Sequence, residues 1–143
     1  MSRYKKTCCL TEAQAAYIAG LMDGEGTITL TKRHRNEHRQ IVVSISNNEK
    51  CLLDYVISVA GIGVISKKSD MRSKNINYSY TVTNRQALEL LSQINPYLIG
   101  YKKERANYVL KHYLALTPRN GKYSRELLER RTDFIDSFFR IRP

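Results

Sequence analysis

Two stretches of this sequence alternate polar and apolar residues, and this period of two is the feature that most limits the folds open to the chain. "GTITLTKRHR" (residues 26–35) sets isoleucine and leucine against threonine and arginine, and "RQIVVSISN" (residues 39–47) continues the pattern. A short polar link, "RNEH", separates them. Because such alternation is typical of strands with one buried face, the two stretches predict an antiparallel hairpin.

Helical segments precede and follow this hairpin. "LTEAQAAYIAGLMDG" (residues 10–24) predicts a helix with Thr11 as N-cap and Gln14 completing a capping box, ended by Gly24 and Gly26. The other predicted elements are, in order, a helix at 48–61, strands at 63–70 and 76–84, and helices at 85–94, 102–116 and 124–140. This αββαββα order predicts one α+β domain over residues 1–143, an antiparallel sheet with helices on one face and polar, basic residues on the other.

The charge balance restricts the class of partner. Lys and Arg number 24 and Asp and Glu number 13, a net charge of +11, while 42% of the residues are hydrophobic. A surplus of this size favours a polyanion such as nucleic acid, and the hydrophobic content argues against a disordered basic tail. The alternative at this point is a basic protein without such a partner.

Cysteines and apolar runs indicate the compartment. Cys8, Cys9 and Cys51 are odd in number and show no CxxC spacing, which predicts free thiols rather than disulfides or a zinc site. No apolar run is long enough to span a membrane, and the basic start "MSRYKKTCCL" lacks the apolar core of a signal peptide. We therefore expect an intracellular protein without a membrane partner, in a compartment that the sequence leaves open.

A stripe of small residues runs along the first predicted helix. Ala16, Gly20 and Gly24 lie four residues apart, with Ala15 and Ala19 beside them. Glycine inside a helix costs about 1 kcal/mol relative to alanine, so the stripe implies a close contact with another helix. That helix belongs either to the same chain or to a second copy, and the spacing alone does not choose.

"YIAGLMDGEG" (residues 17–26) resembles the LAGLIDADG motif of the LAGLIDADG homing endonucleases, and the predicted element order is similar to theirs. The chain has one copy of the motif, which in that family implies a homodimer built on the motif helices. The resemblance then implies that Asp23 has a structural role near a helix end across the interface. The dimer contacts expected from it are Ala16, Ala19, Gly20, Asp23 and Gly24.

The resemblance also implies a metal-dependent active site. Divalent metals activate water and stabilise the leaving oxygen of a phosphodiester, and Mg²⁺ or Mn²⁺ takes oxygen ligands. The second acid of the motif, Glu25, is the expected ligand, with help from the Gly24 carbonyl. A surface ion pair is the alternative for Glu25.

Two further catalytic positions follow from the same resemblance. Asn47, or second Asn48, is expected to orient water, and Lys102, or its neighbour Lys103, to stabilise charge at the phosphate. The alternatives are a helix N-cap for the asparagine, which suits Asn48 better, and a solvated lysine at a helix start.

The polar face of the sheet is the expected DNA reader, because a two-stranded ribbon fits the major groove. Its candidate side chains carry hydrogen-bonding groups and almost no acids; they are Thr27, Thr29, Thr31, Arg33, Arg35, His38, Gln40, Ser44, Ser46, Ser66, Lys68, Arg72, Asn77, Ser79 and Thr81.

Together these features predict a site-specific double-strand DNA endonuclease, intron-encoded, acting as a homodimer on a pseudo-palindromic site. Two alternatives on the same fold stay open: an RNA-binding splicing maturase, and a DNA-binding regulator without cleavage. Regulators of that kind tend to lack the metal-binding acid, which is present here.

Overall fold

The structure, a computed structural model, describes residues 3–69, 72 and 75–143. Part of the predicted basic loop at residues 71–75 lies outside them. The regular elements are, in chain order, α1 (Glu12–Glu25), β1 (Gly26–Thr31), β2 (Gln40–Asn47), α2 (Lys50–Ala60), β3 (Val64–Ser69), β4 (Ile76–Thr83), α3 (Asn84–Ile94), α4 (Tyr101–His112) and α5 (Arg125–Arg140). Short 3₁₀ turns at Asn95–Tyr97 and Leu114–Leu116 follow α3 and α4.

The four strands form one sheet in the order β1-β2-β4-β3, and every neighbouring pair is antiparallel. In this register Thr27 pairs with Ser44, Ser44 with Thr81, and Thr81 with Val64. The predicted α+β class, its element order and its antiparallel sheet are confirmed.

Alternation along the strands divides the sheet into a buried face and a polar face. The buried face carries a continuous apolar layer, made of Ile28, Leu30, Ile41, Val43, Ile45, Tyr80 and Val82. Successive side chains of a strand point to opposite faces, so the intervening threonines and serines share the other side of the sheet. The helices cover the apolar layer with Ile18, Met22, Leu53, Val56, Leu90, Leu91, Val109, Phe134 and Phe138.

Tyr80 shows how tightly the sheet and the α2–β3 connection fit. Its hydroxyl donates to the Ile62 carbonyl at 2.8 Å, and burial raises the pKa of Tyr80 to about 12. Gly63 lies against the ring at φ +102°, where a Cβ atom would collide with it. This position therefore requires glycine for its backbone conformation and for space.

Two predicted boundaries, the ends of β1 and of α4, are wrong. The helix α1 continues through Gly24 and ends at Glu25 with Gly26 as its C-cap, and its capping box at Thr11 and Gln14 forms as predicted. The strand β1 ends at Thr31, which pairs with Gln40, the first residue of β2. The chain beyond Thr31 has no paired strand to continue against.

Arg33 and Arg35 therefore lie in the exposed loop at residues 32–39 rather than in β1. The final predicted boundary concerns α4, which ends at His112; the helical segment predicted through 116 continues as a 3₁₀ turn.

Cys8, Cys9 and Cys51 are free, as predicted, and all three are exposed. In the described parts of the chain, no helix combines the length and apolar character needed to cross a membrane.

Candidate functional site

The C-terminal end of α1 brings together three of the charged residues singled out by the sequence. Glu25 is the last residue of the helix and is exposed. The ammonium of Lys102 donates to the carbonyl oxygens of Met22 at 2.9 Å and Asp23 at 3.0 Å. Since the carbonyl end of a helix carries partial negative charge, Lys102 stabilises the end of α1 directly.

Asp23 also has a structural partner. Its carboxylate accepts the backbone N–H groups of Ile99 at 2.9 Å and Gly100 at 3.2 Å, immediately before α4. The sequence analysis expected a helix end across a dimer interface; the helix end that Asp23 meets is in its own chain. This contact fixes α4, and with it Lys102, beside α1.

The environment of Lys102 changes its proton affinity. Burial lowers the pKa of Lys102 from its ordinary 10.5, and the charge of Arg105 acts in the same direction. The negative charges of Asp23 and Glu25 raise this pKa and so oppose the shift. The ammonium of Lys102 therefore interacts electrostatically with Glu25, the predicted metal ligand.

Asn47 lies at the end of β2, where its Oδ1 accepts the backbone N–H of Glu49 at 2.8 Å. The N-cap of α2 is Glu49, without a side-chain cap bond, and Asn48 is exposed. The expectation that Asn48 would be the cap is therefore wrong: Asn47 makes the bond at the start of α2, because its backbone is fixed by pairing with Tyr78. This bond uses one of the two lone pairs of its amide oxygen, and its NH₂ group provides donors for a ligand.

An open cleft of about 720 Å³ lies between Glu25 and the two asparagines. It is lined by Glu25, Ser46, Asn47, Asn48, Lys68, Ser69, Asn75, Ile76 and Asn77. The structure thus places the predicted ligand Glu25 and both candidate asparagines around one space. Lys102 is bonded to the end of α1 and does not line this cleft. Ser69, Asn75 and Ile76 were missed by the sequence analysis, because only the strand register brings the β3–β4 hairpin to this place.

Glu25 is the carboxylate that the described lining residues contribute. Nowhere in the described ranges do three or more His, Cys, Asp or Glu residues gather in a metal-binding group. A hard cation such as Mg²⁺ needs only one or two carboxylates when phosphate and water oxygens complete its shell. The donor set therefore fits a cation shared with a phosphate, rather than one enclosed by a single chain.

The polar face collects most of the predicted DNA contacts in cross-strand rows. Thr27, Ser44 and Thr81 form one row. Lys68 and Asn77 pair nearer the cleft and also line it. The loop residues Arg33, Arg35, His38 and Arg72 are exposed; His38 packs on the ring of Tyr123 with centroids 4.1 Å apart.

Two of these side chains differ from the prediction: Ser79 is buried, and Gln40 is held by a hydrogen bond. Ser79 was predicted to be exposed but is only 4% exposed, because it is paired on both sides, with Ser46 and Ser66. The hydroxyl of Ser46 lies 3.4 Å from that of Ser79. Gln40 is half-buried, and its Oε1 accepts the side-chain NH₂ of Asn84, a residue to which the sequence analysis gave no role.

The small residues of α1 separate into two sets. Ala15 and Ala19 are buried with Ile18 and Met22 in the chain's own core. Ala19, expected as a dimer contact, is fully buried there, so it has no surface to offer a partner.

The other small residues of α1 form a second set. Ala16, Gly20 and Gly24 are exposed, and a Cβ atom built on either glycine would meet nothing within 4 Å. Two larger apolar side chains are exposed as well: Tyr17 of the same helix, 44% exposed, and Ile99, 90% exposed, whose backbone N–H donates to Asp23.

A second and larger cleft, of about 1230 Å³, does not include Glu25 in its lining. It runs between the N-terminal arm, the start of α3 and the segment after α4, and it contains no predicted catalytic residue. Its cations are Arg3, Lys5, Lys6, Arg85 and Arg119. We therefore place the candidate chemistry in the smaller cleft, where a carboxylate, amides and a lysine meet.

Comparison with known proteins bears on the family and on the fold. The model of the family described as LAGLIDADG endonuclease matches residues 18–123. A crystal structure of the homing endonuclease I-CvuI in complex with its target, with calcium, is 19% identical, with a TM-score of 0.74 covering 91% of this chain and 82% of that one. The archaeal intron-encoded homing endonuclease I-Vdi141I, complexed with DNA, is 19% identical with a TM-score of 0.61, covering 92% and 86%.

A third similar structure differs in length. The LAGLIDADG homing endonuclease I-SmaMI, bound to cleaved DNA, is 19% identical with a TM-score of 0.63 over 94% of this chain but 44% of that one. At these identities the likeness shows a shared fold. This chain corresponds to most of the first two proteins and to less than half of the third.

Proposed function

The chain belongs to the LAGLIDADG endonuclease family, and on that premise we propose that it is a site-specific double-strand DNA endonuclease of the intron-encoded homing type. It acts as a homodimer on a pseudo-palindromic duplex and uses Mg²⁺ or Mn²⁺. The observation that carries the proposal is the position of Glu25: an exposed carboxylate at the end of α1, lining a cleft beside the polar face of the sheet.

Glu25 would hold the metal, with the Gly24 carbonyl close by in the last turn of the same helix. When bound, the ion supplies an activated water and charge stabilisation at the phosphate. The NH₂ group of Asn47 is available to orient water, because its oxygen is bonded to Glu49 N–H. Lys102 contributes positive charge, and its two carbonyl bonds fix its ammonium at the helix end.

The second copy packs on the open face of α1. Gly20 and Gly24 leave room for another helix backbone, and the exposed Tyr17 and Ile99 add apolar area at its margin. If two α1 helices cross there, both Glu25 residues lie at the centre of the dimer. Each protomer then acts on one strand of the duplex.

The experiment that tests the proposal is cleavage of a randomised duplex library in Mg²⁺, followed by sequencing of the ends. We expect double-strand breaks at one pseudo-palindromic site with a fixed stagger. Glu25→Gln should reduce cleavage by about three orders of magnitude or more, as loss of a metal ligand does, and leave duplex binding within a few-fold of wild type.

Glu126→Gln provides the matched control, since Glu126 is an exposed glutamate in the first turn of α5. It should cleave as wild type does. Full cleavage by Glu25→Gln would remove the metal assignment. Tight duplex binding without cleavage by the wild type would favour the regulator, and binding of structured RNA in preference to any duplex would favour the maturase.

A further inference from the structure

Gln40 begins β2 at the end of the polar face that lies away from Glu25, paired with Thr31. Three hydrogen bonds connect its side chain to the core. The backbone N–H of Ile41 donates to the Tyr113 hydroxyl at 3.3 Å, that hydroxyl donates to Asn84 Oδ1 at 2.8 Å, and Asn84 Nδ2 donates to Gln40 Oε1 at 2.7 Å.

The bonds in this chain run in one consistent direction. The Tyr113 oxygen accepts from a backbone N–H, which can only donate, and its hydroxyl hydrogen is donated onward to Asn84 Oδ1. With its oxygen towards Tyr113, Asn84 turns its nitrogen towards Gln40. The amide of Gln40 is consequently fixed with Oε1 towards Asn84, and Nε2 is the part left for a partner.

Two features show that this arrangement is rigidly built. Asn84 has φ +54°, the one positive value among the described non-glycine residues, and its side chain donates to Gln40 from this backbone conformation. Tyr113 is 1% exposed, and the guanidinium of the buried Arg131 lies 5.8 Å from its ring centroid. Strained backbone of this kind persists only where the surroundings hold it.

We infer that Tyr113 and Asn84 are positioning residues that make Gln40 select a hydrogen-bond acceptor on the edge of a DNA base. The inference rests on the proposed function and goes beyond it by assigning a base preference to one side chain. A freely rotating glutamine amide can present either its oxygen or its nitrogen to a base. A fixed one presents only its donor.

The major groove distinguishes these two cases. The purine N7, guanine O6 and thymine O4 atoms are acceptors, whereas cytosine shows only its N4 donor. Gln40 is therefore expected to favour guanine, adenine or thymine over cytosine at the position it contacts. Gln40 and Asn47 are the first and last of the 8 residues of β2, so about seven steps of 3.3 Å, about 23 Å in all, separate them. The base concerned should lie about seven base pairs outward from the cleft, at 3.4 Å per pair.

The test measures base preference at each half-site position by duplex selection with wild type and three variants. Gln40→Ala should remove the preference against cytosine at one outer position. Asn84→Gly keeps the backbone conformation and frees the amide, so it should weaken the same preference about three- to tenfold, the value of one hydrogen bond. Preferences elsewhere in the half-site should stay unchanged.

Asn84→Asp gives the sharpest outcome. A carboxylate can only accept, so it takes the Tyr113 hydroxyl hydrogen and the Gln40 NH₂ group together, and the Gln40 oxygen turns outward. The preference at that one position should invert towards cytosine or the N6 donor of adenine. Asn120→Asp is the charge control, because its Oδ1 already accepts the Lys122 N–H at 3.0 Å and an aspartate keeps that bond.

Unchanged preferences in Asn84→Gly and Asn84→Asp, in proteins that bind duplex and unfold at the wild-type temperature, would overturn the positioning role. An unchanged profile in Gln40→Ala would show that Gln40 does not read a base, and would overturn it as well. A wild type that binds no duplex would instead overturn the proposed function, and this inference with it.

Discussion

The two faces of α1 carry residues of similar size in opposite surroundings. Ala19 is fully buried against the chain's own core, whereas Gly20, the next residue, faces open space where a Cβ atom meets nothing within 4 Å. The same helix therefore packs one face against its own domain and leaves the other face open. Small side chains permit a close approach, but only the packing of the whole chain shows which of them are already in contact.

Substitutions on the two faces of α1 should therefore affect two different properties of the protein, its stability and its association. Changes on the buried face should alter the free energy of unfolding of each protomer. Changes on the open face should alter association without destabilising the protomer, because no contact of the protomer is lost there. The predictions below compare these two effects.

The largest effect is expected from Gly20→Leu. The leucine fits the protomer, since nothing lies within 4 Å of that position, but it fills the space that a second α1 would occupy. We expect the dimer dissociation constant to rise more than a hundredfold and double-strand cleavage to be lost. Sedimentation and thermal unfolding together measure both properties, and the protomer should unfold no earlier than wild type.

Ala115→Leu is the control for this change, because Ala115 is an exposed alanine in the turn after α4. It adds a similar apolar side chain and should leave the dimer intact. A Gly20→Leu protein that sediments as a normal dimer would place the interface elsewhere on the molecule.

Ala19→Leu should have the reverse effect. The added carbon atoms enter a filled core, and overpacking of this kind costs about 1–3 kcal/mol of unfolding free energy. Denaturant unfolding at a protein concentration that keeps the chain monomeric measures the cost. An unchanged midpoint would mean that the buried face of α1 is loosely packed, contrary to the structure.

Lys102→Met tests the hydrogen bonds at the C-terminal end of α1. It removes two charged hydrogen bonds to the carbonyls of Met22 and Asp23, which should cost about 1–2 kcal/mol in stability and reduce cleavage as well. Lys103→Met is the matched control, and it should reduce stability and cleavage less than Lys102→Met does. Equal losses from both variants would argue against a special role for Lys102.

The pH dependence of cleavage adds a second measurement at Lys102. Burial lowers the pKa of this ammonium below 10.5, so it loses its charge at a lower pH than a solvated lysine. Cleavage should fall as the pH rises through that lowered value. An arginine stays protonated in this range, so in Lys102→Arg the fall should move to higher pH; a decline at the same pH in both proteins would assign it to another group.

The smallest effect is expected from Gly20→Ala. In a monomer the methyl group should stabilise α1 by about 0.5–1 kcal/mol, because alanine is the better helix former and meets no neighbour. In a dimer the same methyl group lies between the two α1 helices and keeps them further apart, which should offset part of that gain. Unfolding measured at low and high protein concentration separates the two; a gain that is equal at both would remove Gly20 from the interface.

The sheet could be predicted from the sequence because the alternation that specifies a strand is a pattern of neighbouring residues. Ile28, Leu30, Ile41 and Val43 alternate with polar residues, and each strand must direct one set towards the core. The end of β1 could not be predicted in the same way. Arg33 and Arg35 continue the alternation, but β2 offers them no partner, and a strand extends only as far as its neighbour does.

The candidate site was predictable only in part. Glu25 was found because its motif is contiguous and because glycines surround it in the sequence. The bonds of Lys102 to α1 and of Asp23 to the start of α4 join residues about 80 positions apart, so no local pattern records them. The link from Tyr113 through Asn84 to Gln40 depends in addition on an unusual backbone angle, which the sequence does not indicate.

The sequence by itself determined the class of fold, the polar face of the sheet and the acid at the end of the motif helix, since periodicity and short motifs are properties of neighbouring residues. Only the tertiary structure decided which small residues of α1 are open, which asparagine bonds the start of α2, and which way the amide of Gln40 points. Those outcomes depend on contacts between segments that are distant in the sequence. Whether a hydrogen-bond donor has an acceptor, or a small side chain has a neighbour, is decided only when those segments pack together.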